Sequence, residues 1–142
     1  MNDEHTRIGC EAIIRRGEEI LLGKRKNCFG AGSWGLPAGH LKFGERLVNG
    51  ICREIKEELG ADVAPNRLKL VGVVDDTKRA DGLHYIHAVF ELQDATLKPK
   101  LMEPDRCEEW RWFPLDALPL DNLFVAHRKS ITSYLTGRLY GL

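Results

Sequence analysis

The stretch Gly39-His40-Leu41-Lys42-Phe43-Gly44-Glu45, followed after seven residues by Arg53-Glu54-Ile55-Lys56-Glu57-Glu58-Leu59-Gly60-Ala61, decides how this chain reads. It fits the spacing G-x5-E-x7-R-E-U-x-E-E-x-G-U, where U is apolar, with Ala61 in the last and loosest position. Leu47, Ile51, Ile55 and Leu59 recur every four residues, and Val48 and Cys52 widen the stripe. Residues 45–59 are therefore expected to form an amphipathic helix that Gly60 ends. Glu54, Glu57 and Glu58 stand at i, i+3 and i+4, so they share one face at the rim of that stripe. Helix electrostatics disfavour them there. Like charges at i,i+4 cost about 0.2–0.5 kcal/mol a pair, and each anion near the negative end of the macrodipole costs roughly 0.3–1 kcal/mol. Arg53 and Lys56 offset part of this, and an isolated Glu-rich helix reads most plainly as a solvated charged face. Something else must repay the placement of Glu54, Glu57 and Glu58, and a divalent cation is the obvious candidate. Carboxylate oxygens are hard ligands suited to Mg²⁺ or Mn²⁺, which bind through a few carboxylates, water and substrate phosphates. Such ions neutralise a pyrophosphate, polarise the P–O bond being broken and help deprotonate an attacking water.

Around the helix the pattern turns to β. Residues 7–15 carry apolar side chains at positions 8, 10, 12 and 14, the period of a strand, and residues 19–23 read as its hairpin return after the turn at Gly17. A loop of glycines and small residues fills positions 27–35. Residues 68–74 and 83–92 form two further strands, and residues 109–113 another. Asp121 and Asn122 are expected to cap a last helix that carries Leu123, Phe124, His127, Ile131, Tyr134 and Leu135, with Gly137 beyond it. This order predicts an α+β fold with a mixed β-sheet between helices, in one domain spanning 1–142.

Composition narrows the function. The chain has 142 residues, enough for a core without disulfides, and 43% apolar and 30% charged content suits a soluble globular protein. Lys and Arg balance Asp and Glu at 21 each, so no global basic footprint points to long nucleic acid. Cys10, Cys28, Cys52 and Cys107 form neither a C-x-x-C motif nor a zinc spacing, and Cys10 and Cys52 read as small core residues. The polar start at residues 1–5 is unlike a secretory signal, and no apolar run is long enough to span a membrane, so a cytoplasmic location is expected.

The box at 39–61 resembles that of the Nudix hydrolases. Leu21-Leu22-Gly23-Lys24-Arg25 before it and residues 102–112 after it are similar to the MutT-like branch, whose small dimeric members degrade modified purine nucleotides. The resemblance implies an α/β/α sandwich, a homodimer and a Mg²⁺-dependent pyrophosphohydrolase, with Mn²⁺ able to substitute. Its substrate would be a nucleoside triphosphate, or alternatively ADP-ribose, a nucleotide sugar or a capped RNA end. A catalytically silent nucleotide-binding domain is the reading of another class. By the same resemblance Glu54, Glu57 and Glu58 are metal ligands together with the carbonyl of Ala38 and with Glu108. Ala38 stands where many members have Gly, which disfavours a positive φ there. Glu45 would stabilise the loop–helix junction and Arg53 would orient a catalytic carboxylate. Glu54 or Glu57 would be the general base, or instead a loop acid, Glu103 or Glu108. Arg25 is expected to contact phosphate or sugar, with Lys24 and Lys26 adding positive charge. Trp34, Phe29 and Tyr85 would wall the base site. Trp110 and Trp112 share a strand face and read as core. His84 and His87, of opposite strand parity, read as ordinary strand residues, His84 being the one with a chance of touching substrate.

Overall fold

Strand β1 (Thr6–Arg16) organises the molecule because side chains are buried on both of its faces. The computed structural model describes residues 4–141, so the first three residues of the polar start lie outside it. After β1 come β2 (Glu19–Arg25), β3 (Trp34–Gly35), β4 (Ala38–His40), helix α1 (Leu47–Leu59), β5 (Lys69–Asp76), β6 (His84–Gln93), β7 (Cys107–Pro114), helix α2 (Val125–Leu135) and β8 (Tyr140–Gly141). One mixed sheet contains all the strands, in the order β3-β2-β1-β6-β5-β8, with β4 also on β1 and β7 on β2. β1 runs parallel to β6 from Thr6↔His84 to Arg15↔Gln93. On its other edge it changes partner, meeting β2 at Arg15–Arg16 and β4 at Gly9–Glu11.

Strand parity divides the core into two layers. Cys10, Ala12 and Ile14 of β1 face Ile51, Ile55 and Leu59 of α1, whereas Ile13 faces the layer that includes Val74, Leu123 and Ile131 of α2. The sheet is thus covered on both sides, an α/β/α sandwich, as the α+β reading expects. The spacing of residues 8–14 reveals only the α1 face. The other face carries Gly9, Glu11 and Ile13 and is equally buried.

Gly60 closes α1 in the left-handed conformation at φ 72°, its N–H bonded to the Lys56 carbonyl. The last helix begins later than expected, at Val125, without a side-chain cap. Asn122 is engaged elsewhere, donating from Nδ2 to the Gly32 carbonyl at 3.0 Å, and the Phe124 N–H is held by the Trp34 carbonyl at 2.7 Å. Pairing with β3 therefore takes priority over capping. Short strands β3, β4 and β8 are invisible to periodicity because two or three residues show no period.

Candidate active site

Gly39 leaves room for the Glu54 carboxylate beside the sheet. A Cβ at this position would lie 1.9 Å from Cδ of Glu54, so only hydrogen leaves room for the carboxylate. Next to it, the N–H of Ala38 donates to Oε1 of Glu58 at 3.0 Å. Ala38 is absent from the positive-φ residues, so alanine stands there without strain.

Arg53 gathers the acids. Its Nε and Nη2 donate to Glu45 at 2.8 and 3.1 Å, Nη1 to Glu54 at 2.8 Å and Glu57 at 3.2 Å, and Nη2 also to the His40 carbonyl at 2.8 Å. Lysine has one nitrogen and no fork, so it cannot reproduce this set. The Arg53 bonds, with the Lys42 N–H, hold Glu45 down to about 2. Glu45 precedes α1 and ties its entry loop to the helix flank. Glu54 is pushed above its ordinary value by burial, against the pull of Arg53, and Glu57 and Glu103 add to the rise. Burial also pushes Glu58 well up, opposed by the Ala38 N–H and reinforced by Glu54 and Glu103.

Glu54, Glu57 and Glu58 line a cavity of about 490 Å³. Arg25, Arg79 and Arg106 line it as well, together with the rings of Tyr85 and Phe124. The guanidinium of Arg25 lies 3.9 Å from the Phe124 ring centroid, and that of Arg79 lies 4.5 Å from Tyr85. A cleft with carboxylates on one side and guanidiniums over aromatic rings on another suits a ligand that is both phosphorylated and planar.

A NUDIX domain model matches residues 4–134. The chain is a Nudix hydrolase. It is 34% identical over 131 residues to the ADP-ribose pyrophosphatase of Methanocaldococcus jannaschii, covering 92% of this chain and 74% of that protein. The oxidized purine nucleoside triphosphate hydrolase of Mus musculus is 29% identical, with 84% and 73% covered. Among solved structures, the MutT NUDIX hydrolase from Burkholderia pseudomallei superposes with a TM-score of 0.83 at 41% identity, covering 91% of this chain and 98% of that one. Hydrolysis of pyrophosphate bonds in nucleotide-containing substrates is the activity of this family.

Nudix hydrolases generally use divalent metal ions. Among the described residues, no three His, Cys, Asp or Glu side chains already form a cage. The donor chemistry nonetheless fits a hard cation. Glu54, Glu57 and Glu58 are oxygen donors on one helix face, and the proton affinity of Glu54 and Glu58 is raised by burial and by neighbouring acids.

The structure brings together Ala38, Arg53, Glu54, Glu57, Glu58, Arg25 and Tyr85 in the cavity of this Nudix hydrolase. Trp34 and Glu108 lie elsewhere. Trp34 is buried in the α2-side core, edge-on to Phe113 at 4.9 Å, because the parity of β3 turns it away from the cleft. Glu108 points off β7 to an exposed pair with Lys24 at 3.5 Å. Glu103, the other loop acid, does line the cavity. Phe29 packs against Phe124 at 5.8 Å, and it is Phe124 that faces the cleft. Trp110 and Trp112 pack against the α1-side core, and Trp110 also reaches the cavity. His84 bonds Thr6 outside it at 3.1 Å. Sequence reasoning missed Glu11, His87, His127 and Arg79. A charged residue on the second face of a central strand was the one signal for Glu11.

Proposed function

We propose that the chain is a Mg²⁺-dependent pyrophosphohydrolase of nucleoside triphosphates, modified bases included, releasing a nucleoside monophosphate and pyrophosphate. The observation that carries the reading is the cleft's opposed chemistry, with Glu54, Glu57 and Glu58 on one side and Arg25 and Arg79 over Tyr85 and Phe124 on another. The carboxylates of Glu54, Glu57 and Glu58 and the Ala38 carbonyl would hold the cation, Mg²⁺ or Mn²⁺. When bound, it neutralises the diphosphate and acidifies water. Arg25 and Arg106 hold the phosphate chain, and the Tyr85 and Phe124 rings pack against the base. Arg53 keeps Glu54 and Glu57 in register, and Glu54, whose proton affinity is raised, takes the proton of the attacking water as the bridging P–O bond breaks.

A second reading keeps the chemistry and takes ADP-ribose as substrate, supported by the 34% identity to an ADP-ribose pyrophosphatase. Rates on a panel of canonical and oxidised nucleoside triphosphates and ADP-ribose, with Mg²⁺, separate the two. Product analysis after reaction in ¹⁸O water identifies the phosphorus attacked. Equal turnover by wild type and Glu54→Gln would refute the base assignment, and faster turnover of ADP-ribose would refute the triphosphate reading. The balanced net charge supports a small substrate over long nucleic acid. A cytoplasmic homodimer completes the reading; exposed Phe43 and Leu47 provide apolar surface for it, and light scattering tests it.

A further inference from the structure

His127, Glu11 and His87 form a buried polar cluster that the hydrolytic chemistry leaves unused. Glu11 is 0% exposed, His127 3% and His87 5%. Backbone without side chains makes room for both rings. A Cβ on Gly35 would lie 2.7 Å from Nδ1 of His127, and one on Gly9 would lie 2.6 Å from Nδ1 of His87. His87 is held between two carboxylates, its Nδ1 2.9 Å from Oε2 of Glu11 and its Nε2 3.1 Å from Asp76. Nε2 of His127 lies 3.6 Å from the same Glu11 oxygen. On its other side, Nδ1 of His127 accepts the N–H of Leu36 at 2.9 Å. A ring nitrogen that accepts carries no proton, so the proton of neutral His127 is on Nε2, facing Glu11.

From Leu36 the contacts run to the catalytic wall. The Pro37 carbonyl accepts the Ala12 N–H at 2.9 Å, and the Ala38 N–H donates to Glu58 at 3.0 Å. Three successive residues are thus anchored to α2, β1 and α1 in turn. Leucine would fill the space of His127 without burying a polar ring. What it lacks is the acceptor.

We propose that His127, oriented by Glu11, is a positioning residue: by accepting the Leu36 N–H it fixes the Leu36-Pro37-Ala38 segment and, through Ala38, the carboxylate of Glu58. The proposal rests on reading Glu58 as a cation ligand. Two variants divide shape from hydrogen bonding. His127→Leu removes the acceptor, whereas His127→Asn keeps an amide oxygen near the place of Nδ1.

Three measurements test it. In the wild type at neutral pH, ¹⁵N spectra of His127 are expected to show the Nε2–H tautomer; the Nδ1–H form or a doubly protonated ring overturns the proposal. Without metal, the Ala38 amide should exchange roughly 10-fold faster in His127→Leu, the loss of about one hydrogen bond, and within about 3-fold of wild type in His127→Asn. Mn²⁺ affinity, read by electron paramagnetic resonance, should fall about 10-fold in His127→Leu and hold in His127→Asn. Equal behaviour of the two variants, or wild-type exchange and affinity in His127→Leu, overturns the proposal. A wild type that binds no Mn²⁺ overturns the cation reading of Glu58, while the tautomer and Ala38 exchange still decide the anchoring. Should His127→Leu fail to fold, the wild-type spectrum and His127→Asn decide alone.

Discussion

Replacing Glu58 by glutamine should make this enzyme more stable and nearly inactive, with the stability gain reversed by metal. The amide of Glu58→Gln is expected to keep an acceptor for the Ala38 N–H, which meets the native carboxylate at 3.0 Å, while the charge is lost. That loss relieves the i,i+4 repulsion from Glu54, worth about 0.2–0.5 kcal/mol. It also relieves an anion in the last turn before Gly60, worth about 0.3–1 kcal/mol. A gain near 1 kcal/mol raises Tm by roughly 3 °C in a chain of this size. Burial raises the carboxyl's proton affinity, so its folded pKa stands above the unfolded value of 4.5. Its contribution is therefore fully present below pH 4.5 and is lost as pH rises through the folded pKa. The variant's advantage in metal-free buffer should open over that window. Divalent cation at 100 times Kd stabilises the wild type by about 2.7 kcal/mol, and a variant binding about 100-fold more weakly gains about 0.4 kcal/mol. Scanning calorimetry should then find Glu58→Gln melting above the wild type in EDTA and below it in saturating Mn²⁺. A variant that melts lower in EDTA, or melting curves that keep their order in both buffers, would refute the reasoning.

Gly39→Ala drives a methyl into the Glu54 carboxylate, so kcat should fall about 100-fold from misplacement of one group, with circular dichroism unchanged. Arg53→Lys should lower kcat about 10- to 100-fold, and ¹³C titration should show the Glu45 carboxyl rising from about 2 toward its ordinary range. Arg25→Ala should raise KM about 10-fold with kcat nearly kept, the signature of a phosphate contact made in ground and transition states alike. His127 is lowered from 6.5 to about 4, first by burial and then by Arg25, His87 and Arg79 against the pull of Glu11. The unfolded chain takes up the proton first, so this contribution is present above pH 6.5 and is lost as pH falls toward 4. Urea titrations at the two pH values should show a loss of roughly 3 kcal/mol that His127→Asn lacks.

What the sequence disclosed follows from length and period. Helix α1 was legible because four apolar residues repeat at helical spacing and Gly60 stops them. β1 was legible from its alternation, β2 from the turn at Gly17 that precedes it, and β5, β6 and β7 from β-type runs between turn signals. The acid cluster was legible because its placement opposes helix electrostatics. Side-chain direction in short or irregular segments was not. Trp34 reads as a binding aromatic by its loop position, yet pairing of β3 with β2 turns it into the core. Phe124 reads as a helix core residue, yet its backbone bond to Trp34 holds it ahead of α2, where its ring meets the cleft. The Glu11–His87–His127 cluster joins three elements distant in the chain, so no local pattern contains it.

The parallel pairing of β1 with β6 has a consequence for how the chain is made. Thr6 meets His84 and Arg15 meets Gln93, so the central seam of the sheet closes a loop of more than half the chain. Contacts so distant in sequence slow folding, because their loop-closure entropy must be spent before they return anything. On a ribosome adding about 5–20 residues per second, β1 waits several seconds with an unpaired edge before β6 emerges. For the later part of that interval helix α1 has already been synthesised, but the strand against which it packs lacks its principal neighbour. Aggregation of nascent chains, rather than loss of the finished enzyme, is therefore where substitutions along β1 and β6 should first be felt.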